Sequence, residues 1–292
     1  MKAVFRLWIC AAVAAVTFAA CKNNDSGGAV ASRADSAEVH GTEISSGPAT
    51  FWDNVDFINP AIVSDSAMIE QKFADFAALL SGADPELRDY SVRRLLARAA
   101  ASESAYSRIL EIAEHYLFDP ASPMYSEEDY ISFIKYRLAH PKLGKEPENV
   151  EKLEYSLDMA SKNTPGSQAP DFSFETRSGQ MRSLLQPGSK AEILLIFYGP
   201  DCERCAEAVG RLRHNVDIAK AIAGGELRVV MVYPGDDREQ WLSHAAGLPS
   251  EWEVGIDVNR RIDRDELYWV RATPSAYILT PSLTVLGKNV AL

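Results

Sequence analysis

The sequence predicts an all-α region followed by an α/β domain in which a central mixed sheet is flanked by helices. Three observations carry that prediction. Apolar residues recur at helical spacing from Phe51 to about residue 165, and short apolar runs alternate with helical segments from about residue 169 onward. One of those runs, Ile193 to Tyr198, breaks at Gly199-Pro200 and leads at once into Cys202-Glu203-Arg204-Cys205, where helical sequence begins.

Length and composition set the frame for these elements. With 292 residues, 47% hydrophobic and 24% charged, the chain can fill two cores and solvate a surface. The net charge is -11, and the basic residues form no compensating cluster. A polyanion is repelled by that average field, so no nucleic-acid partner is expected.

Lys2 and Arg6 open the chain, and Leu7 to Ala20 follows without a charge. That stretch is too short to span a bilayer as a helix and suits the apolar part of an export signal. Ala19-Ala20 before Cys21 resembles the bacterial lipoprotein signal, in which the cysteine is lipidated and becomes the new N-terminus; Phe18 stands where leucine is common. The resemblance implies a signal peptide over 1–20, a lipid on Cys21, a membrane anchor and a periplasm-facing place in the cell envelope. Several acyl chains, at about 0.8 kcal/mol per buried CH₂, hold such a protein on a membrane. An ordinary cleaved signal and an uncleaved anchor remain the other readings of these residues. Residues 21–50 are polar and small and read as a flexible tether.

The helical domain is expected over 51–165, with about five helices packed by apolar stripes. Ile69, Phe73, Phe76 and Leu80 form one stripe, and Val92, Leu95, Leu96 and Ala99 another. Further stripes run through Ile109, Ile112 and Ala113, through Tyr130, Phe133 and Ile134, and through Val150, Leu153 and Leu157. Asp84-Pro85 places a capping acid before a proline suited to the first helical position, and Ser126 precedes three acids at another start. Pro120, Pro123 and Pro141 fall between segments. His115 and His140 have no partners at metal-ligand spacing. Phe51, Trp52 and Phe57 suit a core at the domain's entry, with a docking patch as the alternative. The Phe51-to-Phe57 opening and the helices after it resemble an uncharacterised helical domain that precedes thioredoxin-like domains in some bacterial lipoproteins. That implies architecture without function.

Residues 166–292 supply the sheet. Ala169 to Phe174 alternates as a half-buried strand, Ser178-Gly179 turns, and Ile193–Tyr198 and Leu227–Tyr233 are apolar enough for strands covered on both faces. A helix around 238–246, a strand near 254–256, a polar segment, a strand through Ala276–Leu279 and a last one at Leu283–Leu286 complete the pattern.

The cysteine pair is where the chemistry is expected. A thiolate, not a thiol, is the nucleophile, and the positive end of a helix stabilises it. The i, i+3 spacing puts both sulfurs on one helical face, near enough for a small disulfide. Structural zinc needs four ligands, and beyond the leader there are two cysteines and no nearby histidine pair, so no metal is expected. A purely structural disulfide of this spacing closes almost no loop and stabilises little. The pattern of a peroxiredoxin is not seen.

Ala169-Pro170-Asp171-Phe172, the apolar strand into C-x-x-C, and Ala272-Thr273-Pro274 ahead of a strand together resemble the thioredoxin superfamily. The nearer relatives are the envelope-anchored thiol–disulfide oxidoreductases of the TlpA/ResA type. The resemblance covers about 168–290. It implies Cys202 as nucleophile, Cys205 as the resolving cysteine of a redox-active Cys202–Cys205 disulfide, a cis bond at Pro274 facing them, and Thr273 offering its backbone to substrate. It further implies no cofactor, a protein substrate bearing cysteines or disulfides, and a membrane electron donor. Three departures stand out. Tyr198-Gly199-Pro200-Asp201 replaces the usual tryptophan-containing segment. Glu207 does not align with the family's functional glutamate. The chain stops at Leu292, so the usual closing helix is not expected and one sheet face is left partly uncovered or covered by the helical domain. The expected activity is reduction of protein disulfides. The alternative is a partner-binding module of the envelope in which the helices bind and the cysteines sense redox state or are vestigial.

Overall fold

The computed structural model describes residues 47–141, 143 and 148–292. The expected signal peptide, Cys21 and the expected tether up to residue 46 lie outside the described residues.

The first half is helical: α1 (Pro60–Val63), α2 (Ser66–Ser81), α3 (Pro85–Ala99), α4 (Glu103–Ala113) with a π-helical turn at Glu114–Phe118, α5 (Glu127–Ala139) and α6 (Glu148–Ser161). The starts follow local chemistry. The Asp84 carboxylate accepts from the Leu87 N–H at 2.8 Å with Pro85 at the first helical position, and Ser126 Oγ accepts from the Asp129 N–H at 3.2 Å. Phe73 and Phe76 of α2, Leu95 and Leu96 of α3, Ile109 of α4 and Phe133 of α5 are buried in one core. Trp52 and Phe57 are buried with them, Trp52 edge-on to Phe76 at 5.9 Å, so the entry aromatics belong to that core.

The second half is a seven-stranded sheet in the order β2-β1-β5-β4-β3-β6-β7, formed by β1 (Ser173–Thr176), β2 (Met181–Ser183), β3 (Glu192–Phe197), β4 (Leu227–Tyr233), β5 (Glu253–Ile256), β6 (Ser275–Leu279) and β7 (Val285–Lys288). Strands β3, β4 and β5 are parallel; β6 and β1 flank them antiparallel. Helices α7 (Glu203–Arg213), α8 (Val216–Ala223), α9 (Arg238–Ala245) and α10 (Arg261–Arg264) lie between strands. Side chains alternate between two apolar layers, as the two-residue strand period requires. Leu194 and Ile196 share one with α7, α8 and α9; Ile193, Leu195 and Phe197 share the other with Phe172 and Tyr268.

Several boundaries differ from the sequence expectation, each for a physical reason. The first strand begins at Ser173, because Pro170 has no N–H for a ladder and Asp171 instead accepts from the Leu185 N–H at 2.9 Å. Strand β2 is three residues long and α8 two turns, too short to show a period. Leu283, at φ 66°, sits in a turn, so the last strand starts at Val285. Beside it Leu286 is half exposed, while Val290 and Leu292 pack in the layer of α7; that face is partly uncovered.

The helices have their own core and are joined to the sheet through polar and aromatic contacts. Lys288 of β7, almost fully buried, pairs with Glu127 of α5 at 2.8 Å and donates to the carbonyls of Ala160 and Lys162. Asn163 donates to the Leu267 carbonyl at 2.8 Å. The Arg271 guanidinium lies 3.6 Å from the centre of the Phe118 ring and donates to the Phe118 carbonyl.

Candidate redox site

Strand β3 delivers the site. Its ladder ends at Phe197; Tyr198 follows, fully buried, donating its N–H to the Val232 carbonyl at 3.1 Å. Burial pushes the Tyr198 phenol well above its ordinary value, so an uncharged ring sits beneath the loop. Gly199 then lies against two site residues at once: a Cβ placed on it is 3.6 Å from both Cys202 Cβ and Thr273 Oγ1. Asp201 accepts from Gln240 of α9 at 2.5 Å, which ties down the loop.

Cys202 caps α7. Its Sγ accepts from the Cys205 N–H at 3.1 Å, and its carbonyl accepts from the Ala206 N–H at 3.1 Å. Cys202 and Cys205 are joined by a disulfide, with Cα atoms 5.1 Å apart. The two sulfurs differ in access, because Cys205 is 3% exposed within the layer of α7 and Cys202 is partly open to solvent. Opposite them, the Thr273–Pro274 peptide bond is cis, and the Thr273 carbonyl oxygen is 3.3 Å from Cys202 Sγ. Cys202, Cys205, Thr273 and Pro274 are thus brought together from segments some 70 residues apart.

The surroundings were not legible from local sequence. Arg204, inside the C-x-x-C, donates to the Pro120 carbonyl of the helical region at 3.3 Å. Arg271, two residues before Thr273, reaches Phe118 in the same stretch. The helical region therefore touches both walls of the cysteine site. Glu207 stands outside it, exposed and 3.9 Å from Arg211. Among the described residues, no group of three His, Cys, Asp or Glu is placed to hold a metal ion.

A helix-borne C-x-x-C at the end of a central parallel strand, facing a cis-proline ahead of an antiparallel strand, defines a thioredoxin-like protein. Comparison with known proteins agrees. A thioredoxin-like protein from Bacteroides caccae superposes with a TM-score of 0.77 at 29% identity, covering 84% of this chain and 87% of that one. The C-terminal domain of an uncharacterized protein from Bacteroides fragilis is 32% identical over 45% of this chain and 94% of its own, with a TM-score of 0.43. The thioredoxin domain of a thiol–disulfide oxidoreductase from Bacteroides vulgatus is 18% identical over 44% and 90%, with a TM-score of 0.39. Residues 49–163 match the family described as a domain of unknown function, DUF5106. None of the curated proteins matches the chain. The chain is a thioredoxin-like protein with a DUF5106 helical domain ahead of its sheet.

Proposed function

We propose that this protein is a thiol–disulfide oxidoreductase of the cell envelope, held on a membrane by lipid on Cys21, that reduces disulfides in other proteins. The observation that carries the reading is the asymmetric pair at the start of α7, with Cys202 reachable and Cys205 buried behind it. The thiol–disulfide oxidoreductases among similar structures support it. In the reduced protein the Cys202 thiolate, stabilised by the helix N-terminus, attacks one sulfur of a substrate disulfide. A mixed disulfide forms and one substrate thiolate leaves, taking a proton from solvent. The Cys205 thiolate then attacks Cys202 Sγ, the second substrate thiolate leaves and is protonated, and the Cys202–Cys205 disulfide is restored. Two electrons have passed to the substrate. A dithiol donor at the membrane returns them. The Thr273 backbone beside Cys202 can receive an extended substrate chain.

The body lacking its leader and lipid is expected to reduce insulin disulfides, and Cys202→Ser to abolish turnover. Cys205→Ser is expected to accumulate a mixed disulfide through Cys202. Unchanged turnover in Cys202→Ser would overturn the reading. The direction is read from the potential of the pair: a value near about -270 mV supports a reductase, and one near about -120 mV an oxidase.

A further inference from the structure

A cleft of about 460 Å³ opens beside the cysteine pair, and two of its lining residues, Gly199 and Thr273, are the ones that touch Cys202. Away from the cysteines its walls are apolar and aromatic. Tyr155 and Met159 come from α6, Tyr233 from the end of β4, and Trp269 and Val270 from the segment before Thr273. The Trp269 wall is held from behind. Its ring is 5.7 Å from Phe118, which stacks on Tyr130 at 4.4 Å, and Arg271 lies against both Trp269 and Phe118. The charged groups of the lining, Arg260 and Asp263, pair with each other at 3.0 Å, and Arg260 pairs also with Asp236 at 3.5 Å. Tyr155 is 49% exposed and has apolar ring surface still to cover.

We propose that this cleft receives a bulky apolar side chain of the substrate polypeptide, one or two residues from the reacting cysteine, and that Tyr155 of the helical domain is its specificity-determining residue. The occupant is a polypeptide because Gly199 and Thr273, which line the cleft, also flank Cys202, so a chain whose sulfur meets Cys202 has the cleft beside it. It is apolar because the walls are apolar and the charges of the lining are already paired. The helical domain thereby forms part of the substrate site: α6 supplies one wall, and Phe118 props up Trp269 in the other. The proposal rests on the thiol–disulfide reading above, which names the reaction but not what selects the client.

The test uses the full chain after its leader and two disulfide-linked peptides that differ only in Phe or Ser beside the cysteine, with hydroxyethyl disulfide as a substrate too small to reach Tyr155. The expected result is a KM for the Phe peptide about tenfold below that for the Ser peptide, the size of one well-placed aromatic contact. Tyr155→Ala is expected to erase the difference by raising KM without lowering kcat, and Tyr155→Phe to restore it. Turnover of hydroxyethyl disulfide stays unchanged in both variants. Equal KM values for the two peptides in the wild type, or a Tyr155→Ala loss shared by hydroxyethyl disulfide, would overturn the proposal. Binding of the same peptides with serine in place of cysteine, followed by tryptophan fluorescence of the oxidised protein, reads the cleft without turnover. If no disulfide is reduced, the thiol–disulfide reading fails, and a Phe preference lost in Tyr155→Ala still supports the cleft while its absence overturns it.

Discussion

Replacing Lys288 with Met tests what joins the helices to the sheet. The Lys288 side chain is 7% exposed and that of its partner Glu127 is 4% exposed, with 2.8 Å between Nζ and Oε2. Two further donations, to the carbonyls of Ala160 at 2.8 Å and Lys162 at 2.9 Å, occupy the rest of the ammonium. At an effective dielectric of about 20, the attraction at this separation is about 6 kcal/mol before desolvation of either charge is counted. Removing one partner leaves a buried carboxylate whose other oxygen is met by the Tyr125 hydroxyl, and such a change costs about 3–5 kcal/mol. That is a large part of the roughly 5–15 kcal/mol that holds a domain together. Urea unfolding, followed by circular dichroism and by tryptophan fluorescence, gives the loss. The double variant Glu127→Gln/Lys288→Met, which removes both charges, is expected to recover about 2 kcal/mol or more of it. A single-variant loss below about 1 kcal/mol, or a double variant no better than the single, would refute the claim that a desolvated charge pair sits at this junction.

Two further predictions follow from burial. Gly255→Ala would place a Cβ 2.2 Å from Cδ2 of the fully buried Phe174, so the ring must move; a loss of about 1–3 kcal/mol is expected in the same urea assay, and a neutral result would contradict this packing. Burial raises the phenol of Tyr130 to about 12, with Glu114 adding to the shift, and raises those of Tyr125, Tyr198, Tyr268 and Tyr277 in the same direction. The unfolded chain releases these protons near pH 10 while the folded chain keeps them. Their contribution is therefore complete below about pH 10 and is lost progressively above it. Ultraviolet titration should show a late-ionising fraction of tyrosines together with unfolding above about pH 10; titration of all tyrosines near 10 with the fold intact would oppose it.

Periodic and local features could be read without coordinates. The stripes through Phe73, Leu95, Ile109 and Phe133, the caps at Asp84 and Ser126, and the apolar runs of β3 and β4 each declare themselves within a few residues, because burial repeats with the period of the element. The α/β sheet preceded by helices followed from those. Two-turn α8 and three-residue β2 did not, since elements that short complete too few periods. The roles of charged residues also stayed hidden. Glu127 and Asp129 read as acids favoured at a helix start, yet they are buried partners of Lys288 and Arg88, at 2.8 and 2.7 Å. A cap is a contact of residues three apart, whereas these pairs join residues 161 and 41 apart.

By itself, the sequence determined that two cysteines stand at a helix start after a buried strand, because that arrangement spans nine residues, from Phe197 to Cys205. The family resemblance set Thr273 and Pro274 opposite them, and only the tertiary structure decided the geometry and the rest of what faces them. It closes the distance from Cys202 to Thr273, brings Pro120 to Arg204 and Phe118 to Arg271, and sets Tyr155 at the cleft beside them. Each of those pairings joins segments tens of residues apart. Such a pairing leaves no trace in spacing, because it depends on how the packed layers align and not on the period of any one element.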